Sequence, residues 1–340
     1  IGTATRTDVA EANSRAIREK GDWRGASLGQ RLDAFNRIYI KHKAVNAIVD
    51  HIERELVLRQ SKQRAIGVLV VAESGSGKTS LIDFLDRKYP PRETETQSIR
   101  PVLCFNVPPT ASSAAFGEAL LTALGDPLPK AGKANDKKAR AETLLRKAET
   151  IIVAIDDFQD VPARRQTRGV MQVSDWFRDL CDFKFPGIVM ALGTPDAVVV
   201  RDAFKQLRRR MPARFNLPIF SMKSPDAEKT FRSFLKVLDK QLPFAELSNL
   251  DNQSTARALL AASNGVLDYL VMVLERALVR TFDRSSEEMD VCDLEHGFID
   301  TFQVAAEYGN PFDPKWDGEP LTGPNQAFAP SDLPDGGTKK

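Results

Sequence analysis

Apolar residues along this chain fall into short β-branched runs separated by stretches in which they recur at helical spacing. The runs are IGVLVV (66–71), PVLCFNV (101–107), IIVAI (151–155), GIVMALG (187–193) and FNLPIF (215–220). Each is nearly continuous rather than alternating, the pattern of a strand buried on both faces. Between them, SLIDFLDRKY, stopped by Pro90 and Pro91, and AAFGEALLTALG carry the apolar period of helices. Strands alternating with helices predict an α/β core over residues 35–222, a parallel five-stranded sheet with helices on both faces.

The flanks read differently. Residues 1–34 are polar and lack a sustained apolar period, which predicts a flexible arm leading into a helix within RLDAFNRIYIKHKAVNAIVDHIERELVLRQ. Ser224-Pro225-Asp226 is a helix start, with a capping hydroxyl before a proline in the first turn. Beyond it AEKTFRSFLKVLDKQL, TARALLAAS, GVLDYLVMVLERALVRTF and the segment opening at Asp290 are helical only, predicting a small all-helical lid over 223–308. From Gly309 the chain is dense in Pro, Gly and Asp, a composition too poor in apolar surface to fold alone. Residues 309–340 are therefore expected as a disordered tail.

Composition narrows the class. The 340 residues are 42% hydrophobic and 28% charged, as in soluble globular proteins, and no apolar run approaches the length of a membrane span. The first twenty residues lack the apolar centre of a secretory signal, so a cytoplasmic protein without membrane contact is expected. Cys104, Cys181 and Cys292 are far apart and His42, His51 and His296 are scattered, which predicts neither a zinc site nor a disulfide framework. A net charge of +2 does not by itself announce a nucleic-acid protein. Local basic clusters remain: Lys130, Lys133, Lys137, Lys138 and Arg140; Arg164, Arg165 and Arg168; and Arg208, Arg209 and Arg210.

The candidate chemistry begins where the first strand ends. AESGSGKT (72–79) places Gly75 and Gly77 in a loop before Lys78 and Thr79 at a helix start, following the G-x-x-x-x-G-K-[ST] pattern with Ala72 in its first position. Glycines let backbone N–H groups approach phosphates, and a helix N-terminus favours negative charge. Glu73, Ser74, Gly75, Ser76, Gly77, Lys78, Thr79 and Ser80 are thus expected to hold ATP, with Lys78 on the β and γ phosphates and Thr79 on Mg²⁺. The third strand ends in Asp156 and Asp157. Asp156 is expected to hold Mg²⁺ and Asp157 to orient and activate the attacking water. Thr194, after the fourth strand, suits a hydrogen bond to the γ-phosphate or that water, and equally suits a turn and helix cap with Asp196. In QLRRRMPARFNLPIF, Arg214 and then Arg210 are candidates for an arginine completing a neighbouring subunit's site, although a solvated basic face reads the same.

Taken in order, RIYIKHKAVNAIVDHI, GVLVVAESGSGKTSLI, PVLCFNVPPTASSAAFGEALLTALGDPLP, IDDFQD, GIVMALGTPDA and the ARF after an arginine-rich segment resemble the TniB and TnsC family of AAA+ regulators of DNA transposition, over residues 35–310. The resemblance implies an AAA+ P-loop NTPase core with a helical lid. It also implies ATP-dependent assembly on double-stranded DNA, as a heptamer-like homo-oligomeric ring or a helical filament linking a TniQ-type target selector to a DDE transposase. DNA contact is expected at Lys130, Lys133, Lys137 and Lys138 and at Arg164, Arg165 and Arg168, because lysine and arginine on phosphates give sequence-independent affinity. Two departures stand out: Asp157 occupies a slot where most relatives carry Glu, which implies slow hydrolysis stimulated by DNA or partners, and Leu267 and Asp268 stand where many carry a sensor arginine. The competing readings are an origin-recognition or helicase-loader type of AAA+ ATPase, and a nucleotide-gated DNA scaffold with negligible turnover.

Overall fold

The computed structural model describes residues 21–62, 64–95, 97–109, 112–161, 168–303 and 309–329, without the side chains of 168–173. They divide into two compact units: Lys41–Ile219, and the described residues of Ile1–Ile40 together with those of Phe220–Lys340.

In chain order, α1 (Leu28–Asn36) belongs to the second unit and α2 (Lys43–Lys62) opens the first. There follow β1 (Ile66–Ala72), α3 (Lys78–Lys88), a short antiparallel pair of β2 (Arg92–Glu93) and β3 (Ser98–Ile99), then β4 (Val102–Asn106), α4 (Ser113–Ala123) and α5 (Ala134–Lys147). Next come β5 (Ile152–Asp156), a 3₁₀ turn (Phe158–Asp160), α6 (Arg168–Asp182), β6 (Ile188–Gly193), α7 (Asp196–Ala203), α8 (Lys205–Arg210) and β7 (Ala213–Leu217). The sheet has five strands in the order β4-β5-β6-β1-β7, and every neighbouring pair is parallel. Parallel neighbours need long crossovers, which the helices supply.

β1 lies between β6 and β7, and Val68, Leu69 and Val70 are wholly excluded from water. On one side the core is an aromatic stack in which Phe116 meets Phe105 at 5.3 Å and Trp176 at 5.6 Å between ring centres. The buried Trp176 satisfies its indole by donating to the Ser113 carbonyl at 2.7 Å. Gly117 makes room for that ring, since a Cβ there would stand 2.8 Å from Trp176 Cζ2. The last strand ends at Leu217, earlier than FNLPIF suggested, because Pro218 has no N–H for the ladder.

The second unit packs α1 with α9 (Pro225–Gln241), α10 (Gln253–Ser263), α11 (Leu267–Asp283) and α12 (Val291–Phe302) around Phe231, Leu235, Phe244, Leu259, Leu274 and Phe298. Ser224 caps α9 by accepting from the Ala227 N–H, and Asp290 caps α12 through the Asp293 N–H. Two stretches differ from expectation. Residues 28–36, expected largely within a loose arm, form α1, whose capping box of Ser27 and Gln30 starts a helix that buries Phe35 and Arg31. The Arg31 guanidinium donates to Glu287 Oε1 at 2.7 Å and to the Trp23 carbonyl at 2.7 Å. Residues 309–329, expected as a disordered tail, place Phe312 and Leu321 in the helical core and Phe328 against Tyr269 and Phe302. The average composition of that segment conceals three anchors that need no core of their own, because they use one already built. Residues 1–20 and 330–340 lie outside the described residues. Among the described residues, no single helix is long and apolar enough to cross a membrane.

Candidate nucleotide site

In a sheet of this kind the C-terminal strand ends face the crevice where ligands sit. The expected site residues converge there. β1 delivers Ala72, buried in the strand, and the loop Glu73–Gly77 turns into α3. The turn depends on glycine, with φ of 72° at Gly75 and 99° at Gly77, a backbone region that side chains with a Cβ rarely adopt. Ser76 is buried and its hydroxyl donates to the Glu73 carbonyl at 2.7 Å, closing the loop from inside. Gly77 caps α3 without any side-chain hydrogen bond, so the first turn presents backbone N–H groups and the positive end of the helix dipole. Lys78 Nζ lies back over the loop, donating to the Ala72 and Glu73 carbonyls at 3.2 Å each. Ser80 is half-buried on the first turn; Glu73, Ser74 and Thr79 are exposed.

Across the strand ends lie Asp156, the last residue of β5, and Asp157. Asp156 Oδ1 accepts from the Asp157 N–H at 2.9 Å. Burial pushes the Asp156 carboxyl up and the neighbouring Asp157 charge adds to this; the Asp157 N–H and the Lys78 charge oppose both without prevailing. Asp157 adopts the left-handed conformation, φ 55° and ψ 39°, which short Asp and Asn side chains tolerate better than longer ones. That backbone gives a local reason for Asp at 157.

Two residues that the sequence did not single out hold this carboxylate. Asn106, paired with Asp156 in the register of β4 and β5, donates from Nδ2 to Asp157 Oδ2 at 2.8 Å. Gln159 donates from Nε2 to Asp157 Oδ1 at 3.2 Å and accepts the Thr194 N–H at Oε1, 3.0 Å away. Thr194 therefore stands after β6, between β5 and β1 in the sheet, and its carbonyl also accepts the Ala197 N–H at the start of α7. The shared negative field reaches Cys104, whose thiol is pushed up to about 11 by burial and by Asp156, Asp83 and Asp157.

The arginines stand apart from this cluster. Arg214 was expected between helix and strand, but it is the second residue of β7, opposite Leu69. It sits three residues, or about 10 Å, before the end of β1. It is exposed, with Nε donating to Asn216 Oδ1 at 3.3 Å. Arg210 ends α8 and donates to Asp182 Oδ2 at 2.7 Å.

The basic stretch before and within α5 is largely committed to the fold, which corrects the expectation of a DNA-facing lysine row. Lys137 is 3% exposed, its stem against Gly117 and its ammonium near Glu118. Lys138 pairs with Asp179 and lies over the Trp176 ring. Arg140 gathers Asp126 and the Leu128 and Ala131 carbonyls. Lys130 and Lys133 are exposed. Arg164 and Arg165 lie outside the described residues, and Arg168 opens α6 with its side chain outside the description.

With this geometry in place, comparison with known proteins gives two kinds of likeness. The family described as Bacterial TniB protein matches residues 33–222. Among solved structures, the Aeropyrum pernix ORC2 protein in ADPNP–ADP complexes is 13% identical, covering 80% of this chain and 72% of that chain with a TM-score of 0.54. The Aeropyrum pernix ORC1 protein in complex with DNA is 14% identical, covering 80% and 69%, with a TM-score of 0.54. Cdc6p from Pyrobaculum aerophilum is 13% identical, covering 78% and 69%, with a TM-score of 0.51. At such identities the likeness shows the fold, that of AAA+ ATPases with a helical C-terminal region. No curated protein sequence matches the chain.

Proposed function

The chain belongs to the bacterial TniB family, and from that premise we propose that it is an ATP-hydrolysing, DNA-binding regulator of DNA transposition. In this reading it assembles as a ring or helical filament on double-stranded DNA and links a TniQ-type target selector to a DDE transposase. The observation that supports it most is the Lys78 cradle set across Thr194 from the Asp156 and Asp157 pair, all at the C-terminal ends of one parallel sheet.

The loop from Glu73 to Gly77 and the first turn of α3 bind the phosphates through backbone N–H groups, and Lys78 exchanges its two carbonyl partners for phosphate oxygens. The positive φ at Gly75 and Gly77 suits that cradle. Among the described residues no three His, Cys, Asp or Glu side chains gather as a metal cage, so Mg²⁺ would be held jointly by phosphates, the Thr79 hydroxyl and Asp156, as is usual for that ion. Bound there, it would neutralise charge developing on the phosphates. Asp157, held in place by Asn106 and Gln159, takes a proton from water at a carboxylate oxygen. Arg214, and next Arg210, are the residues proposed to complete a neighbour's site, and Lys130 and Lys133 with Arg164, Arg165 and Arg168 the residues proposed to meet DNA phosphates.

One observation favours a second reading, a scaffold gated by nucleotide. Both oxygens of Asp157 already carry a hydrogen bond, and its short stem limits reach. Steady-state phosphate release with and without duplex DNA, compared with Lys78→Ala, separates the two. Release above the Lys78→Ala background that rises with DNA supports hydrolysis, whereas release at background under both conditions supports the scaffold. Electron microscopy with duplex DNA and a non-hydrolysable ATP analogue tests assembly. Isolated subunits in place of rings or filaments would sink that part of the proposal.

A further inference from the structure

We infer that Gln159 is a positioning residue that sets the plane of the Asp157 carboxylate and ties it to the backbone at Thr194. This rests on the hydrolytic reading above. Gln159 lies in the 3₁₀ turn two residues beyond Asp157 and is half-buried. Its carboxamide bridges the ends of β5 and β6: the Thr194 N–H donates to Oε1 at 3.0 Å, and Nε2 donates to Asp157 Oδ1 at 3.2 Å. Chemistry fixes which way the amide faces. A backbone N–H can only donate and an ionised carboxylate can only accept, so the reversed amide would set donor against donor and oxygen against oxygen.

The bridge has been given room. A Cβ at Gly193 would stand 2.6 Å from Gln159 Oε1 and 2.8 Å from Ala197 Cβ, so any larger residue there pushes the carboxamide away. Gly193 and Gln159 therefore form a matched pair, one vacating the space the other occupies.

The carboxylate needs such a holder. The terminal torsion of an aspartate is broad and roughly two-fold, so nothing intrinsic fixes the plane of its oxygens. Asn106 on Oδ2 alone leaves the group free to turn about one hydrogen bond. With Gln159 on Oδ1 the plane is held from both edges. Because the same carboxamide accepts from Thr194, a shift of the β6 end moves Asp157 through two hydrogen bonds. A group placed to meet phosphate or water after β6 is thereby linked mechanically to the proposed base after β5.

Gln159→Ala and Gln159→Glu test this by DNA-stimulated phosphate release, ATP dependence and melting temperature. Glutamate keeps the length and the acceptor for the Thr194 N–H, but replaces the donor to Asp157 with an oxygen and adds a negative charge beside that carboxylate. Alanine is therefore the variant that removes the bridge without adding charge. Both variants are expected to lower kcat on the order of tenfold to a hundredfold, with KM for ATP and the affinity for ADP within about twofold of the parent. A kcat within about twofold of the parent for either variant overturns the inference. So does a fall in Ala that Glu restores, because the Thr194 contact alone would then matter. A rise in KM at unchanged kcat overturns it too, as does loss of the melting transition in both variants, which would mark a structural role. If the parent itself releases no phosphate above Lys78→Ala, the hydrolytic reading falls and takes this inference with it; a hydrolysing parent with unaffected Gln159 variants defeats the inference alone.

Discussion

Each unit of the molecule carries two neighbouring carboxylates, and the pairs differ in what answers them. In the helical unit, Asp293 is wholly buried and receives Arg284 Nε at 2.8 Å, Arg284 Nη2 at 2.6 Å and the Thr281 hydroxyl at 3.0 Å. The Asp290 N–H reaches it at 3.1 Å, and Arg284 also bonds Asp290. Burial pushes the Asp293 carboxyl up, but the guanidinium, the Asp290 N–H and Thr281 outweigh it, and the group ends below its ordinary value. In the sheet unit, the donors to Asp156 and Asp157 are a backbone N–H and two neutral carboxamides, and Asp156 ends above its ordinary value. A guanidinium fork neutralises and locks a carboxylate. Neutral amides orient one without neutralising it, which fits a pair proposed to exchange a cation and a proton. Adjacent acidic residues after a turn thus serve architecture or chemistry according to the donors around them.

The comparison breaks most visibly through activity. Asp157→Asn keeps the shape and should hold both ATP and fold, while phosphate release falls on the order of 10²- to 10⁴-fold. ATP-dependent assemblies on DNA should then outlast those of the parent. Disassembly at the parent's rate would count against Asp157 as the base. The mirror experiment is Arg284→Ala, which strands Asp293 in the core. Breaking a buried pair from one side costs about 3–5 kcal/mol, and the partial exposure of Arg284 discounts that to about 2–4 kcal/mol. Denaturant unfolding should show the loss, with nucleotide affinity per folded molecule unchanged. A loss below about 1 kcal/mol would mean that the fork is not what secures Asp293.

How much of this the sequence discloses depends on how local the signal is. The P-loop is legible because its strand, glycines, Lys78 and helix are consecutive. Asp156 and Asp157 are legible because a strand end announces them. Asn106 and Gln159 are not, because their partners are brought by strand order: β4 sets Asn106 beside Asp156, and β6 brings Thr194 to Gln159. The lysines of α5 mislead for a related reason. Charge is visible in a sequence, but the Gly117 gap that admits the Lys137 stem and the Trp176 face under Lys138 are tertiary facts. Phe312 and Leu321 were hidden by averaging over a Pro- and Gly-rich segment.

The smallest effect is a difference of sign, measured without nucleotide or Mg²⁺ by replacing each aspartate with its neutral shape analogue. Asp293 is held below its ordinary value, so its ionised form stabilises the fold. That contribution is present above the unfolded pKa of about 3.9 and is lost as pH falls through the folded pKa below it. Asp156 is held above its ordinary value, so between the unfolded and folded pKa the folded chain binds more protons than the unfolded one. Its charge therefore opposes folding at neutral pH, and the opposition fades as pH falls through its folded pKa towards about 3.9. Asn at 156 keeps an oxygen for the Asp157 N–H and discards the charge. Asp156→Asn should accordingly raise the melting temperature at pH 7 by a few degrees at most, on the order of 1–4 °C, with the gain shrinking on acidification. Asp293→Asn should lower it at pH 7, and that deficit should shrink only below about pH 4. If Asp156→Asn instead melts lower than the parent, its carboxylate is already neutralised within the fold, and the contrast between the two acidic pairs fails.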